Sequence, residues 1–259
     1  MSNHYKMQHG ANPTLWFNER AVLSMAHGDH TACVANLSHA IQGFRSSLQH
    51  PTQQAQQAQT PQDVQQVSLQ SVALPDHQGP SPLHSQFGYN PLMVFNKAFL
   101  AAPTKSAALV PSPTTENLIP SVLLYNMALS FHRHGLVVGS TESLTQARDF
   151  YQMSMTCLEQ HAMVMAQEQH QRPGASNTGH GERLLLAALA NNMAHISASF
   201  FQIPEAQLSL RLLQDVFVSG PVPFYTVRQQ VMAQGDYDIF YMNWMMYQEG
   251  AHTALAAAA

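Results

Sequence analysis

The sequence predicts a mainly α-helical protein in which antiparallel helix pairs stack side by side as an α-solenoid. Two observations point to this fold class. The pattern Asn-Met-Ala occurs at residues 126–128 and again at 192–194, each time within an apolar helical stretch. Small and apolar residues then recur at a shared spacing further along the chain. Because a short repeat cannot bury its apolar face alone, such self-similarity is typical of stacked helix pairs, which usually bind other macromolecules.

The shared spacing is clearest near the two ends of the chain. Steps of twelve, four and three residues separate the members of each series. The two series are Ala21, Cys33, Leu37 and Ala40, and then Ala194, Ala206, Leu210 and Leu213. Small residues are expected where two helices approach closely, so these positions predict the contact faces of the pairs.

The first helix pair is predicted at about residues 15–48, after a loose leader. Its helices cover about 15–26 and 30–48. Gly28 and Asp29 form the turn between them, and Asp29 can cap the second helix. Residues 49–91 are expected to form a disordered insertion, because prolines and a Gln-rich tract leave too little apolar surface to offset the entropy of ordering.

Residues 92–100 form a short apolar run between proline-containing stretches. A strand fits this run, although so short a run does not distinguish a strand from a helix by periodicity. The second and third helix pairs follow at about 120–169 and 182–218. In the second pair, a helix beginning near Pro120 is expected to end at about residue 134, and a loop of residues 135–141 leads to the next helix.

The C-terminal part of the chain is rich in aromatic residues. We expect a further helix near residues 224–233 and a strand at 237–247, which could pair with the apolar run at 92–100. All of these elements are assigned to a single domain spanning residues 1–259.

These spacings resemble those of tetratricopeptide repeats, which pair two antiparallel helices in about 34 residues. Three segments carry the resemblance. They contain Phe17, Ala21, Gly28, Asp29, His30, Cys33, Leu37 and Ala40; then Asn126, Met127, Ala128, Ala147, Tyr151 and Ser154; and finally Asn192, Met193, Ala194, Ala206, Leu210 and Leu213. The layout also resembles uncharacterised tetratricopeptide-like proteins common in diatoms, which offer no activity to transfer. The resemblance implies a right-handed stack with a concave groove.

The second segment departs from the family pattern. Nineteen residues separate Ala128 from Ala147, where the other two segments have twelve, so its turn is expected to carry an extra loop. The third segment replaces the usual Gly-Asp turn with residues 202–204, Gln-Ile-Pro.

The candidate binding site follows from the resemblance. Asn126 and Asn192 match the position whose amide often holds the backbone of a bound peptide in that family, and Glu19 takes this place in the first segment. Four further side chains are expected on the same helix faces at steps of three and four: Leu129, His132, Arg133 and His195. Alternatively, the two amides only hydrogen-bond neighbouring helices. If they bind a partner, changing both to alanine should weaken binding and leave the helices intact.

The composition of the chain limits the classes of partner that it could bind. A net charge of −4 and the lack of any Lys/Arg run argue against nucleic acid. No apolar stretch is long enough for a membrane span, no secretory signal is recognisable, and the two cysteines imply no disulfide framework. We therefore expect a cytoplasmic or nuclear protein that binds a protein or peptide.

No cofactor, metal or catalytic residue is expected, because nucleophile, phosphate-binding and zinc motifs are missing from the sequence. Two alternatives remain open. The fifteen histidines, including His27 and His30 on either side of Gly28 and Asp29, could support a metal-dependent enzyme or sensor. The chain could also be a structural subunit of a larger assembly.

Overall fold

The computed structural model describes residues 12–49, 67–75, 92–103, 113–171, 180–218 and 238–246. Within these ranges the protein is mainly helical, with one two-stranded sheet. The elements in chain order are α1 (Pro13–Ala26), α2 (His30–Gln49), β1 (Val67–Ala73), β2 (Lys97–Pro103), α3 (Pro113–Val138), α4 (Thr141–Gln171), α5 (His180–Ser199), α6 (Ile203–Val218) and α7 (238–246).

Three tight turns join α1 to α2, α3 to α4 and α5 to α6. Each turn contains one residue in the left-handed region, with φ of 75° at Gly28, 73° at Gly139 and 56° at Phe201. A left-handed residue just after a helix allows the last carbonyl groups of the helix to accept hydrogen bonds, and it reverses the chain within two residues. The next residue caps the following helix in the first two turns, where Asp29 Oδ1 accepts from the Ala32 N–H and Ser140 Oγ accepts from the Ser143 N–H.

The predicted loop at residues 135–141 is wrong, because α3 continues to Val138 and α4 begins at Thr141. The seven additional residues between Ala128 and Ala147 are accommodated largely by lengthening both helices. Residue 135 lies inside α3, and it is a glycine because a Cβ there would come within 2.9 Å of the Leu144 side chain. This glycine therefore marks a close approach of two helices rather than a loop.

Helix α3 begins at Pro113, seven residues before the predicted start at Pro120. Pro113 suits the first helical position, where its missing N–H costs nothing, and Glu116 lies favourably in the first turn. Pro120 is therefore an interior proline, which removes one backbone hydrogen bond. Burial of the neighbouring Leu118 and Ile119 side chains offsets that loss.

The helix pairs pack against their neighbours in chain order, with α2 on α3 and α4 on α5. The repeated small and apolar positions lie in the core, as their spacing predicts. Residues exposed by 5% or less are Ala21, Cys33, Leu37, Ala40, Ala128, Ala147, Tyr151, Ser154, Ala194, Ala206, Leu210 and Leu213. No helix in the described ranges is both long and apolar enough to cross a membrane.

The two strands are antiparallel, and Ser71 lies opposite Phe99. The prediction of disorder at 49–91 is wrong for β1, residues 67–73, whose Val67, Leu69 and Val72 side chains are partly buried against the core. The rest of that insertion, 50–66 and 76–91, lies outside the described residues.

The C-terminal prediction of a strand at 237–247 is also wrong, because residues 238–246 form helix α7. Aromatic residues favoured the strand, but Phe240 and Asn243 are fully buried at a spacing of three, as in a helix. The predicted helix near 224–233 lies outside the described residues.

Candidate functional site: an asparagine clamp on an extended segment

Residues 92–103 form an extended segment, called here the clamped segment, that lies against α1, α3, α5 and α7. In an extended chain the N–H and C=O groups of alternate residues point to opposite edges. The edge formed by Asn96 and the following even-numbered residues faces β1, and the Asn96 carbonyl accepts from the Leu74 N–H at 3.2 Å. The odd-numbered edge faces the helices.

Asn126 on α3 binds the backbone of Phe99 with both ends of its amide. Its Oδ1 accepts from the Phe99 N–H at 2.9 Å, and its Nδ2 donates to the Phe99 carbonyl at 2.8 Å. Asn18 on α1 supports this contact, because its Nδ2 donates to the same carbonyl at 3.1 Å and its Oδ1 accepts from Asn126 at 2.8 Å.

Asn192 on α5 repeats the arrangement four residues earlier in the segment. Its Oδ1 accepts from the Phe95 N–H at 2.8 Å, and its Nδ2 donates to the Phe95 carbonyl at 3.2 Å. Between these two sites, the Tyr125 hydroxyl donates to the Lys97 carbonyl at 3.1 Å.

Asn243 on α7 makes the third contact of this kind, with Met93. Both the bond from the Met93 N–H and the bond to the Met93 carbonyl measure 2.7 Å. Asn191 donates to the same carbonyl at 2.9 Å and accepts from Asn243 at 2.6 Å. We refer to Asn126, Asn192 and Asn243 as the asparagine clamp. It binds groups that every peptide carries, because one amide supplies both a donor and an acceptor.

Two aromatic side chains anchor the clamped segment. Phe95 stacks on Phe240 of α7 with ring centroids 4.8 Å apart, and Phe99 meets the edge of Tyr125 at 5.1 Å. Phe95, Phe99 and the small Ala98 are all fully buried, whereas the Met93 side chain is 39% exposed. The helices therefore recognise the segment through its backbone and through two Phe side chains four residues apart.

A buried polar network extends from Asn192 away from the segment. Its Nδ2 also donates to the Tyr151 hydroxyl at 3.0 Å. Tyr151 lies 3.4 Å from His132 Nδ1, and His132 Nε2 lies 3.1 Å from His195 Nδ1. Burial, and then the neighbouring His195, hold the pKa of His132 well below its usual value, and burial raises the pKa of Tyr151. His132 is therefore neutral at physiological pH.

The six predicted site residues are all at most 8% exposed, although Arg133 also borders a small pocket beside His30 and His134. The Asn126 and Asn192 amides do hold an extended peptide backbone, but it belongs to this chain. Leu129 packs in the core, and His132 contacts His195. Arg133 hydrogen-bonds the Asn96 side chain and the Pro75 carbonyl, so it binds the segment and the end of β1 together. Binding of a separate partner by these residues stays a prediction.

Sequence reasoning missed three asparagines and the place of the apolar run 92–100 among the helices, although it did favour a strand there. In the first helix pair the repeat pattern assigned the amide position to Glu19, but the amide that contacts the segment belongs to the preceding residue, Asn18. Asn191 directly precedes the predicted Asn192, and Asn243 lies in the helix that was predicted as a strand. All three could have been recognised in the sequence as asparagines that lie, at helical spacing, on the same face as apolar residues.

The histidines near the first turn do not converge. The His27 ring bonds the Leu23 carbonyl of its own helix, Asp29 caps α2, and His30 lies 2.9 Å from the Ser130 hydroxyl and stacks on His134. Within the described ranges, no three His, Cys, Asp or Glu side chains are grouped so that they could hold a metal ion. Burial raises the pKa of the Cys33 thiol to about 11, which suits the core position predicted for it.

Comparison with protein-family models, with curated proteins and with solved structures finds no match to this chain.

Proposed function

We propose that this chain is a non-catalytic scaffold that binds an extended segment of a protein or peptide partner. The three helix pairs would form a tetratricopeptide-like stack, and the groove lined by α1, α3, α5 and α7 would be the binding surface. The left-handed residue at the same place in each tight turn supports a common repeat unit.

The observation that carries the proposal is the asparagine clamp. Three buried amides from three different helices each bind the N–H and the C=O of one residue in a single extended chain. Apolar side chains here would leave these backbone groups buried without partners, so the amides satisfy an extended backbone whatever its side chains are. Amides that line up along one strand edge are suited to holding a peptide.

Selection from a library of extended 12-residue peptides tests the proposal. The baits are the full-length chain and its Phe95→Ala variant. In the variant, the clamped segment (residues 92–103) binds the groove less tightly. Enriched peptides are then scanned twice, once by alanine substitution and once by methylation of each backbone nitrogen. At some peptide positions, methylation of the backbone nitrogen should abolish binding although alanine is tolerated. Met93 is such a position in the clamped segment, because its backbone is bound and its side chain is exposed. No enriched peptide, or binding that depends on side chains alone, would contradict the proposal.

A further inference from the structure

We infer that the clamped segment is a tethered competitor for the groove, and that the partner peptide repeats its pattern of two Phe residues four positions apart with a small residue before the second. This inference rests on the proposed function, because it assumes that the groove accepts a foreign peptide. It adds the chemical class of that peptide and the way in which access to the groove is limited.

The groove can select a peptide only through the side chains that it buries. The clamp contacts only backbone atoms of Met93, Phe95 and Phe99, so it does not distinguish one extended sequence from another. Selectivity must therefore come from side chains that the groove buries. These are Phe95 against Phe240, Phe99 against Tyr125, and Ala98, which is fully buried and leaves no room for a larger side chain without rearrangement.

The groove also fixes the direction in which a bound peptide runs. β1 lies along the other edge of the segment, antiparallel to it, with Val72 opposite Ala98 and Gln70 opposite Leu100. An incoming peptide can pair with β1 in the same way only if it runs in the same direction as the resident segment. The two walls of the groove thus specify an extended peptide of one polarity, with apolar side chains and with aromatic residues at the positions of Phe95 and Phe99.

The clamped segment competes with any incoming peptide for the groove. A segment of the same chain is present at a high effective concentration, because it is covalently joined to the groove that it occupies. A partner therefore binds with an apparent affinity that is reduced by the fraction of molecules in which the groove is vacant. Weakening the resident segment without altering the groove should restore the affinity. Phe95→Ala does this, because an incoming peptide supplies its own Phe to the site on Phe240.

The experiment uses a fluorescein-labelled synthetic peptide with the sequence of residues 92–103, titrated with full-length protein and followed by fluorescence anisotropy. Three proteins are compared: the unchanged chain, Phe95→Ala, and Phe44→Ala as a matched control. Phe44 is also a buried Phe, at 7% exposure, but it belongs to α2. We expect Phe95→Ala to bind the peptide at least about tenfold more tightly than the other two proteins do.

The peptide itself carries the second comparison, made on the Phe95→Ala protein. Replacing either Phe of the peptide by Ala should weaken binding at least about tenfold, as for a buried aromatic anchor, whereas replacing its Met should change the affinity little. Equal affinity of all three proteins would overturn the competition. Undiminished binding of the peptide that lacks both Phe residues would overturn the proposed pattern.

Two further results separate this inference from the proposed function. If library peptides bind through their backbone but none shows the Phe spacing and none binds Phe95→Ala more tightly, the inference fails and the proposed function stands. If no peptide binds any of the three proteins, both fail. Should Phe95→Ala not fold, hydrogen–deuterium exchange of the unchanged protein replaces it. Excess unlabelled peptide should then accelerate exchange at resident residues 93–99, and unchanged exchange would overturn the inference.

Discussion

Replacement of Asn192 by alanine probes the asparagine clamp most sharply. The change removes the acceptor of the Phe95 N–H at 2.8 Å and a donor to the Phe95 carbonyl at 3.2 Å. The Phe95 carbonyl keeps only a 3.5 Å contact with the Tyr125 hydroxyl, whose single proton is donated to the Lys97 carbonyl at 3.1 Å, so neither backbone group of Phe95 keeps a well-formed hydrogen bond. The Tyr151 hydroxyl also loses a donor.

The expected cost follows from these losses. A buried polar group left unpaired costs about 1–3 kcal/mol, and the space vacated by the amide adds to this cost. We expect Asn192→Ala to lower the free energy of unfolding by about 3 kcal/mol. This is a large part of the ~5–15 kcal/mol that stabilises a typical domain. Urea unfolding followed by far-ultraviolet circular dichroism measures it as a lower midpoint at an unchanged slope.

Asn36→Ala is the matched control. Asn36 is also a helical asparagine, but it is only partly buried, and its Nδ2 bonds the Ala32 carbonyl of its own helix at 2.8 Å. Its replacement should change the free energy of unfolding by no more than about 0.5 kcal/mol, as is usual at such positions. If Asn192→Ala were as mild as Asn36→Ala, the assignment of Asn192 to a buried backbone contact would be refuted.

Three other changes should alter the free energy of unfolding in a defined direction. Phe201→Gly should raise the free energy of unfolding by about 1 kcal/mol, measured by urea unfolding, because a 68%-exposed side chain then no longer forces a φ of 56°; a loss of stability would contradict the left-handed turn. Gly181→Ala should destabilise, although alanine normally favours helices, because the added Cβ would lie 2.5 Å from Leu69 Cβ; a higher midpoint would place β1 elsewhere. The depressed pKa of His132 makes stability largest above the unfolded pKa of about 6.5, and stability falls as the pH drops below it, by up to about 1.4 kcal/mol per pH unit. Unfolding between pH 5 and 8 should show this slope reduced in His132→Phe, and an equal slope in both proteins would rule out His132 as its source.

The helix pairs could be predicted from the sequence because their signals are local. Gly28 and Asp29 specify a turn through their own backbone preferences, and steps of three and four specify which face is buried. The prediction failed where a tertiary contact overrides a local preference. Gly135 is required by the approach of Leu144, and Pro120 is tolerated because its neighbours are buried.

The occupant of the groove could not be predicted in the same way. The contact between Asn192 and Phe95 joins residues 97 positions apart, and no local pattern encodes such a pairing. Residues 67–73 likewise form a strand only because β2 lies beside them. The two amides were identified from their repeat position. Their full burial changes the expectation for the Asn126→Ala, Asn192→Ala double variant, which should now lose stability as well as binding.

Hydrogen exchange at single residues, followed by nuclear magnetic resonance, tests the central claim most directly. The Phe95 and Phe99 N–H groups each donate to an amide of the clamp, whereas the N–H of Val94 bonds no other residue in the described part of the chain. Exchange of Phe95 and Phe99 should therefore be slower than that of Val94 by orders of magnitude and should approach the rate set by global unfolding. Exchange of all three at the rate of an unfolded peptide would show that the helices do not hold this segment.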